Sequence, residues 1–151
     1  MLNIEDLPDE VLLHIFGYLT TRDLISLQLM NHRWRQIATD RTFFSTISLN
    51  EYDSNSFIRV LLSQNKDAIR HLSITEHSNI DLLAPLISEC CNLETLSVKL
   101  CNGNGDQVLR GIECCTQLSV IILQHTPIQR LDELFRILSS KPMKKINIRN
   151  M

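Results

Sequence analysis

The hexapeptide LETLSV at residues 93–98 carries apolar side chains at its first, fourth and sixth positions. The same form occurs in FSTISL at 44–49, IRHLSI at 69–74, LSVIIL at 118–123 and MKKINI at 143–148, at steps of 25, 24, 25 and 25 residues. The first four copies are followed by helical patterns around residues 57–62, 82–87, 108–112 and 131–138. A strand and a helix repeated at such a step predict stacked units with parallel strands, because no single unit buries its apolar face alone.

The turns between these units contain residues with definite conformational preferences. Thr126, Pro127 and Gln129 are typical of an N-cap, a first helical turn and a capping-box partner for the fourth helical pattern. A loop of asparagines and glycines ends at Asp106, which we expect to be the N-cap of the helix that follows. Pro85 falls inside the second helical pattern, so it should kink that helix or delay its start.

The N-terminal stretch LPDEVLLHIFGYL, residues 7–19, predicts a helix that begins near Pro8, where the missing N–H would have no partner. Thr20 with Asp23, and then Asn31, are typical caps of two further short helices. Three helices in about forty residues bury little surface, so the apolar excess should mark a contact surface. That excess forms one broad stripe on the first helix, made of Val11, Leu12, Ile15, Phe16, Tyr18 and Leu19.

Residues 7–44 contain an opening Leu-Pro, an apolar helix with Ile-Phe and Tyr-Leu, then Asp-Leu, and an Arg-Trp about ten residues later. This combination of motifs resembles the F-box family. Asn31 departs from the small residue or cysteine that many members have before the Arg-Trp. The strand–helix units look like leucine-rich repeats, which some F-box proteins carry. The resemblance predicts an α/β fold with a three-helix F-box at residues 1–43 and, at residues 44–151, a short solenoid of about four to five repeats.

F-box modules dock onto the Skp adaptor, which joins them to a cullin ubiquitin-ligase scaffold. The resemblance therefore implies that a partner covers the apolar stripe and that the repeats hold a target protein of unknown identity. It implies a non-catalytic receptor subunit, so we expect no catalytic residue, metal ion or cofactor. The alternative is an interaction scaffold, or a competitor that binds the adaptor without delivering a substrate. The residues that should form or support the docking surface are Leu7, Pro8, Val11, Ile15, Phe16, Leu19, Leu24 and Trp34.

The composition limits the class of protein. The 151 residues are 44% hydrophobic and 21% charged, which is typical of a folded chain. No run approaches the roughly 18 apolar residues of a membrane span, and no signal peptide is apparent. Five cysteines, an odd number, favour reduced thiols over a disulfide framework. We therefore expect a cytoplasmic or nuclear protein with no membrane contact.

Metal binding and thiol catalysis are poor interpretations of the cysteines. The adjacent pairs at 90–91 and 114–115 lie one repeat step apart, as a repeat predicts without any metal, and no zinc-type spacing occurs. No local motif ties His71, His77 or His125 to a thiol. Cys101 occupies the turn position where such repeats use Asn or Cys. Because the equivalent positions hold Tyr52, His77, Thr126 and Met151, we expect irregular turns.

Phosphate-loop and nucleic-acid functions are not favoured either. The Asn-Gly-Asn-Gly loop lacks the Gly-Lys-Ser/Thr ending of a phosphate-binding loop. The basic run from Arg136 onward has no interleaved aromatic residues and no recognition motif. We therefore expect no nucleic-acid partner.

Alternation along each strand predicts which side chains form the open face of the repeat sheet. Three columns result: Thr46, His71, Thr95, Val120, Lys145; Ser48, Ser73, Ser97, Ile122, Asn147; and Asn50, Thr75, Lys99, Gln124, Arg149. The fourth unit is the apolar exception, and bases lie beside it. We therefore assign target binding to Val120, Ile122, Lys99, Lys145 and Arg149, with an acidic or phosphorylated segment as ligand class. The simpler interpretation is that β-branched residues favour strands and need no function.

The sequence stops directly after the fifth strand motif. Solenoids normally need a polar cap over the last unit, and none is apparent. We expect a short isoform or a fragment of a longer array, or pairing of the last edge with a partner or a second copy.

Overall fold

A computed structural model describes all residues, 1–151, and divides them into two compact units, Met1–Phe44 and Ser45–Met151. The first unit contains three helices, and short 3₁₀ turns at Ile4–Asp6 and Arg41–Phe44 flank them. These helices are α1 (Asp9–Phe16), α2 (Thr21–Leu27) and α3 (His32–Ala38). The second unit alternates strands with helices: β1 (Thr46–Leu49), α4 (Asn55–Asn65), β2 (His71–Thr75), α5 (Ile80–Glu89), β3 (Thr95–Lys99), α6 (Asp106–Cys114), β4 (Val120–Gln124), α7 (Leu131–Ser139) and β5 (Lys145–Arg149).

The five strands form one parallel sheet in the order β1-β2-β3-β4-β5. Each strand pairs with the next in sequence, so every crossover contains one helix, as in an α/β solenoid. The register places Thr46, His71, Thr95, Val120 and Lys145 in one row. Parallel strands, the repeat phase and the predicted rows are thus confirmed, except that Asn50 lies beyond β1 and belongs to a turn.

The core of the repeats comes from the apolar positions of the hexapeptides. Within β1 to β4, the two inward side chains of every strand are at most 2% exposed: Ile47, Leu49, Leu72, Ile74, Leu96, Val98, Ile121 and Leu123. Burying an aliphatic side chain contributes about 1.5–3 kcal/mol, so stacking of successive units is the main source of stability. In β5, Ile146 is 48% exposed.

A carbonyl just before each strand joins neighbouring repeats. The carbonyl oxygen of Ser45 accepts hydrogen bonds from the N–H groups of Arg70 and His71, at 2.8 and 2.9 Å. The carbonyl oxygens of Arg70, Glu94 and Ser119 each accept two N–H groups of the following repeat in the same way. This recurring pair of bonds fixes the register at which each strand begins.

A left-handed residue follows four of the strands. Glu76, Leu100, His125 and Asn150 have φ values of 58°, 54°, 50° and 50°. The N–H groups of the first three donate to the carbonyl oxygens of Lys99, Gln124 and Arg149, which end the next strands. The chain therefore turns away from the sheet at the same place in successive repeats, although none of these residues is glycine.

The buried turn position after this residue is more regular than the sequence suggests. The Cys101 thiol donates to the carbonyl oxygens of Lys99 and Ile74, with Sγ···O distances of 3.3 and 3.8 Å. The Thr126 hydroxyl donates in the same pattern to the carbonyls of Gln124 and Val98, at 3.2 and 3.4 Å. The prediction that Thr126 caps a helix is therefore wrong, because a carbonyl 28 residues earlier in the chain takes its hydroxyl.

The caps of the repeat helices also differ from the prediction. Asp106 is the first residue of α6 rather than its N-cap, and its carboxylate points to the next repeat, where Oδ1 accepts the N–H groups of Gln129 and Arg130 at 2.9 and 3.0 Å. Gln129 therefore lies before α7 and is no capping-box partner. One repeat earlier, Asp81 accepts the N–H of Asn104 at 2.9 Å. The first-turn carboxylate of one helix thus holds the loop of the following unit.

Helix α5 continues through Pro85 and begins before the predicted pattern, at Ile80. The predicted delay of its start is therefore wrong. Helix α6 packs closely against α5 at Gly111. A Cβ at this position would lie 3.0 Å from the Ala84 carbonyl oxygen and 3.1 Å from Cβ of Ile87. Glycine at this position permits the close approach of α5 and α6.

The three predicted N-terminal helices are present, and Thr20 and Asn31 cap two of them as predicted, but α1 and α2 are shorter than the sequence pattern suggests. Pro8 is the N-cap of α1, the Thr20 hydroxyl accepts the N–H of Asp23, and the Asn31 side chain accepts the N–H of Trp34 at 2.8 Å. The Asp23 carboxylate also accepts the Thr20 hydroxyl at 2.8 Å, which strengthens the start of α2. Across the whole chain, no helix is long and apolar enough to cross a bilayer.

Candidate functional site

The broad apolar stripe of α1 is split between the interior and the surface of its own unit. Leu12 and Phe16 are buried, whereas Val11 is 41% exposed and Tyr18, just past the helix, is 79% exposed. Ile15 lies between the two groups and is half-buried. The unit therefore buries one edge of the stripe and leaves the other edge in solvent.

A second exposed apolar group lies in the turn between α2 and α3. Leu29 and Met30 are 78% and 67% exposed. Helix α2 ends at Leu27, so both residues lie beyond it. The sequence pattern did not identify Leu29 as a surface apolar residue, because a residue in a turn does not follow the helical period. In so small a unit, exposed leucine and methionine side chains indicate a surface that contacts another molecule.

The eight residues assigned to adaptor docking fall into three groups by exposure. Pro8 and Val11 are exposed, and Leu7, Ile15, Leu19 and Trp34 are half-buried. Phe16 and Leu24 are 2% and 3% exposed, so neither presents a surface in this conformation. The ring of Phe16 instead packs edge-on against Trp34, with centroids 5.7 Å apart, and supports α1 and α3 from inside.

Arg33 holds the segment before α1 in place. Its Nε donates to Oδ1 of Asp9 at 2.8 Å, and the same guanidinium donates to the backbone carbonyls of Glu5 and Leu7. A charged fork with three acceptors orients a backbone more firmly than one bond could. The Leu-Pro pair at the start of the docking surface is thereby fixed relative to α3. Sequence reasoning did not give Arg33 this role, although it is part of the Arg-Trp pair.

On the repeats, the sheet register brings the five residues assigned to target binding together on β3, β4 and β5. Val120 pairs with Lys145, and Gln124 pairs with both Lys99 and Arg149. Val120 and Ile122 are half-buried and alternate with inward residues of β4, so their side chains share the open face with these bases. We call this group, with Gln124, the β4 patch.

The open face contains bases but no acids. Its strand residues are Thr46, Ser48, His71, Ser73, Thr75, Thr95, Ser97, Lys99, Val120, Ile122, Gln124, Lys145, Asn147 and Arg149. They contribute three positive charges in a chain with a formal net charge of −2. The carboxylates therefore lie elsewhere, and the β4 patch is a local positive region.

The cysteines form structural hydrogen bonds. Cys90 and Cys115 end consecutive helices, and their thiols donate to the carbonyls of Leu86 and Gly111 at 3.4 and 3.3 Å. Burial raises the pKa of Cys90 to about 12 and that of Cys115 to about 11, from 9.0, so both are neutral thiols and poor nucleophiles. Cys101 is also buried, whereas the remaining two thiols are exposed. No group of three potential metal ligands converges.

Comparison with known proteins found matches that cover part of the chain. The F-box-like family model matches residues 4–50. The F-box/LRR-repeat protein 12 of Mus musculus is 42% identical over 52 residues, which cover 34% of this chain and 16% of that relative. The protein of the same name from Homo sapiens is 40% identical over 52 residues, with the same coverage of both chains. The matched segment is thus a small part of these relatives.

Proposed function

We propose that this F-box/leucine-rich-repeat protein is a non-catalytic substrate-recognition subunit of an SCF-type ubiquitin ligase. Residues 1–43 dock onto a Skp-family adaptor, which connects the chain to a cullin scaffold. Residues 44–151 bind a target protein through the open face of the sheet. Ubiquitin transfer belongs to other subunits, and the complex works in the cytoplasm or nucleus.

The observation that carries this proposal is the uncovered apolar edge of α1 within the segment matched by the F-box-like model. Pro8, Val11, Ile15 and Tyr18 follow one another at helical spacing and all keep exposed surface. A partner that removes this surface from water gains about 25 cal/mol for each Å² of apolar area. Phe16 and Leu24 support the docking surface from the interior instead of contacting the adaptor.

A charged substitution at an exposed position tests adaptor docking without disturbing the core. We expect Val11→Asp to weaken capture of a purified Skp-family adaptor about tenfold or more, because an unpaired carboxylate would be buried at the interface. An acidic residue suits the first turn of a helix, so α1 should remain folded.

Val60→Asp is the matched control, since Val60 lies on α4 and is 47% exposed compared with 41% for Val11. It should leave adaptor capture unchanged. Equal capture by wild type and by both variants, with unchanged circular dichroism, would contradict docking through α1. The double variant Leu7→Ala/Pro8→Ala should weaken capture in the same assay.

A second assay separates a receptor from an adaptor-binding competitor. Ligase complexes containing the chain should lower the half-life of proteins captured by the repeats, and Val11→Asp should restore that half-life. Capture of the adaptor with no change in the turnover of any repeat-bound protein would favour the competitor.

A further inference from the structure

Two Asn-Gly pairs lie in the loop between β3 and α6, Asn102-Gly103 and Asn104-Gly105. An asparagine before a glycine can form a cyclic imide, because glycine has no Cβ to hinder the approach of its backbone nitrogen to the asparagine side chain. The nitrogen attacks the carboxamide carbon, and ammonia leaves. The two pairs have the same local chemistry, so a difference in their reactivity must come from the fold.

The second pair is restrained by two hydrogen bonds. Gly105 is buried, and its N–H donates to the Pro127 carbonyl oxygen at 2.9 Å. The side chain of Asn104 is also engaged, since its Oδ1 accepts the N–H of Asp106 at 3.1 Å. Both bonds must break before the nitrogen of Gly105 can attack, which slows the reaction about tenfold or more.

The first pair has neither restraint. Asn102 and Gly103 are both exposed. The N–H of Gly103 and the carboxamide of Asn102 form no hydrogen bond within the chain. Gly103 has a φ of 113°, a conformation that residues with a Cβ rarely adopt. The attacking nitrogen and the carbon that it attacks are therefore both free in the folded protein.

The backbone of Asn102 holds the beginning of α5. Its carbonyl oxygen accepts the N–H of Ile80, the first residue of that helix, at 3.2 Å, and its N–H donates to the His77 carbonyl oxygen at 3.1 Å. The N-cap Asn79 provides no side-chain hydrogen bond, so the Asn102 carbonyl is the acceptor that satisfies the first N–H of α5. The loop thus fastens the start of α5 to the following unit.

We propose that Asn102-Gly103 is a modification site at which the folded chain converts asparagine to isoaspartate and aspartate, and that isoaspartate releases the start of α5. Hydroxide removes the proton of the Gly103 nitrogen, and this nitrogen bonds to Cγ of Asn102. The bond from Cγ to Nδ2 breaks, and Nδ2 leaves as ammonia with a proton from water, which regenerates hydroxide. Water then opens the cyclic imide at one of its two carbonyl carbons.

The two products differ in their backbone. Opening at Cγ gives aspartate with a normal main chain. Opening at the former backbone carbonyl gives isoaspartate, whose main chain runs through Cγ and is one methylene longer. In isoaspartate, the oxygen that held Ile80 belongs to a carboxylate outside the main chain. The loop has little room to adjust, since a Cβ on Gly103 would lie 3.0 Å from Cγ2 of Ile80.

The test is incubation of the purified full chain in buffer and in urea, followed by tryptic digestion and tandem mass spectrometry. Cleavage after Lys99 and Arg110 gives one peptide, residues 100–110, that contains both pairs. Digestion in heavy-oxygen water marks conversion that occurs during preparation. In the folded chain Asn102 should convert about tenfold or more faster than Asn104, and in urea the two should convert at similar rates.

Two variants control for the position of the reaction. Asn102→Gln should suppress conversion at this position, because its longer side chain must form a larger ring. Asn104→Gln is the matched control, and it should leave the conversion of Asn102 unchanged. Equal rates at the two pairs in the folded chain would overturn the proposal. Conversion of Asn102 in urea but not in buffer would also overturn it.

Hydrogen exchange tests the structural consequence in aged protein from which the isoaspartate form has been separated by chromatography. The Ile80 amide hydrogen should exchange about tenfold or more faster in this form than in fresh protein, because it has lost its acceptor. Asn102→Asp has the same added charge with a normal main chain, so its Ile80 amide should exchange as in wild type. Unchanged exchange in the isoaspartate form, or equal acceleration by Asn102→Asp, would refute the release of α5 by backbone lengthening.

Discussion

Removal of the Asp106 carboxylate should loosen the junction between the third and fourth repeats. Its Oδ1 accepts two backbone N–H groups, those of Gln129 and Arg130, at 2.9 and 3.0 Å. Loss of an acidic helix cap costs about 0.5–2 kcal/mol, and a hydrogen bond to a charged group contributes about 1.5–3 kcal/mol. Since the two bonds share one oxygen and Asp106 is only half-buried, we expect Asp106→Ala to lower the free energy of unfolding of the repeats by about 2 kcal/mol.

Two companion variants separate the contact from the charge. Asp106→Asn keeps an acceptor oxygen but loses the charge, so its cost should be about 1 kcal/mol. Asp132→Ala removes an exposed carboxylate in the first turn of α7 that accepts no hydrogen bond, and only its interaction with the helix dipole, about 0.3–1 kcal/mol, should be lost.

Urea unfolding followed by circular dichroism gives these free energies, and hydrogen exchange gives a local measure. The amide hydrogens of Gln129 and Arg130 should exchange faster in Asp106→Ala than in wild type. Trp34, the chain's one tryptophan, lies in the N-terminal unit, so its fluorescence should report an unchanged midpoint there. If Asp106→Ala costs no more than Asp132→Ala, and the two amides exchange as in wild type, the carboxylate does not join the repeats.

Four further predictions concern the repeats. Leu100→Asn should raise the free energy of unfolding by about 0.5–1 kcal/mol and shift the urea midpoint upward, because asparagine tolerates a positive φ better than leucine does. Asparagine already occupies the equivalent position at Asn150. Gly111→Ala should lower stability by about 1 kcal/mol in the same measurement, since crowding against the Ala84 carbonyl outweighs the gain in helix propensity. Two of the five thiols should react with a maleimide in the folded chain and all five in urea. Burial raises the pKa of Cys115 from 9.0 to about 11, so the thiol of the unfolded chain loses its proton at lower pH than the thiol of the folded chain. The free energy of unfolding should therefore fall above about pH 9, by about 1.4 kcal/mol per pH unit for each such thiol. The decline should be shallower in Cys115→Ser.

The strands were predictable because each position obeys a local rule that the tertiary structure also satisfies. Leu72 and Ile74 point inward, Ser73 points outward, and a step of one repeat places the same pattern on the neighbouring strand. A shift of one residue would expose every inward side chain, so the hydrophobic pattern alone fixes the register.

The turns were not predictable from the same evidence, because their partners lie a full repeat away. Thr126 and Asp106 both have strong local cap propensities, and a single sequence offers no reason to expect the Val98 carbonyl or the Arg130 amide as their partners. Local propensity identified residues that form hydrogen bonds, but it gave the wrong partners for them.

The candidate docking surface was only partly predictable. The width of the α1 stripe shows that some apolar residues must remain exposed, but the 3.6-residue period does not decide which edge faces the interior. That choice depends on packing within the bundle, where Phe16 meets Trp34 and Val11 remains in solvent. Assignment of the target-binding residues stays a prediction, since it depends on a ligand.

The carboxylate links between repeats run in one direction along the chain. Asp81 holds a loop that follows it, and Asp106 does the same one repeat later. During synthesis on a ribosome, each of these carboxylates therefore emerges before the backbone N–H groups that it will hold. Vectorial translation and repeat stacking then favour the same order of assembly, and a mutation in an early unit should delay maturation of every unit behind it.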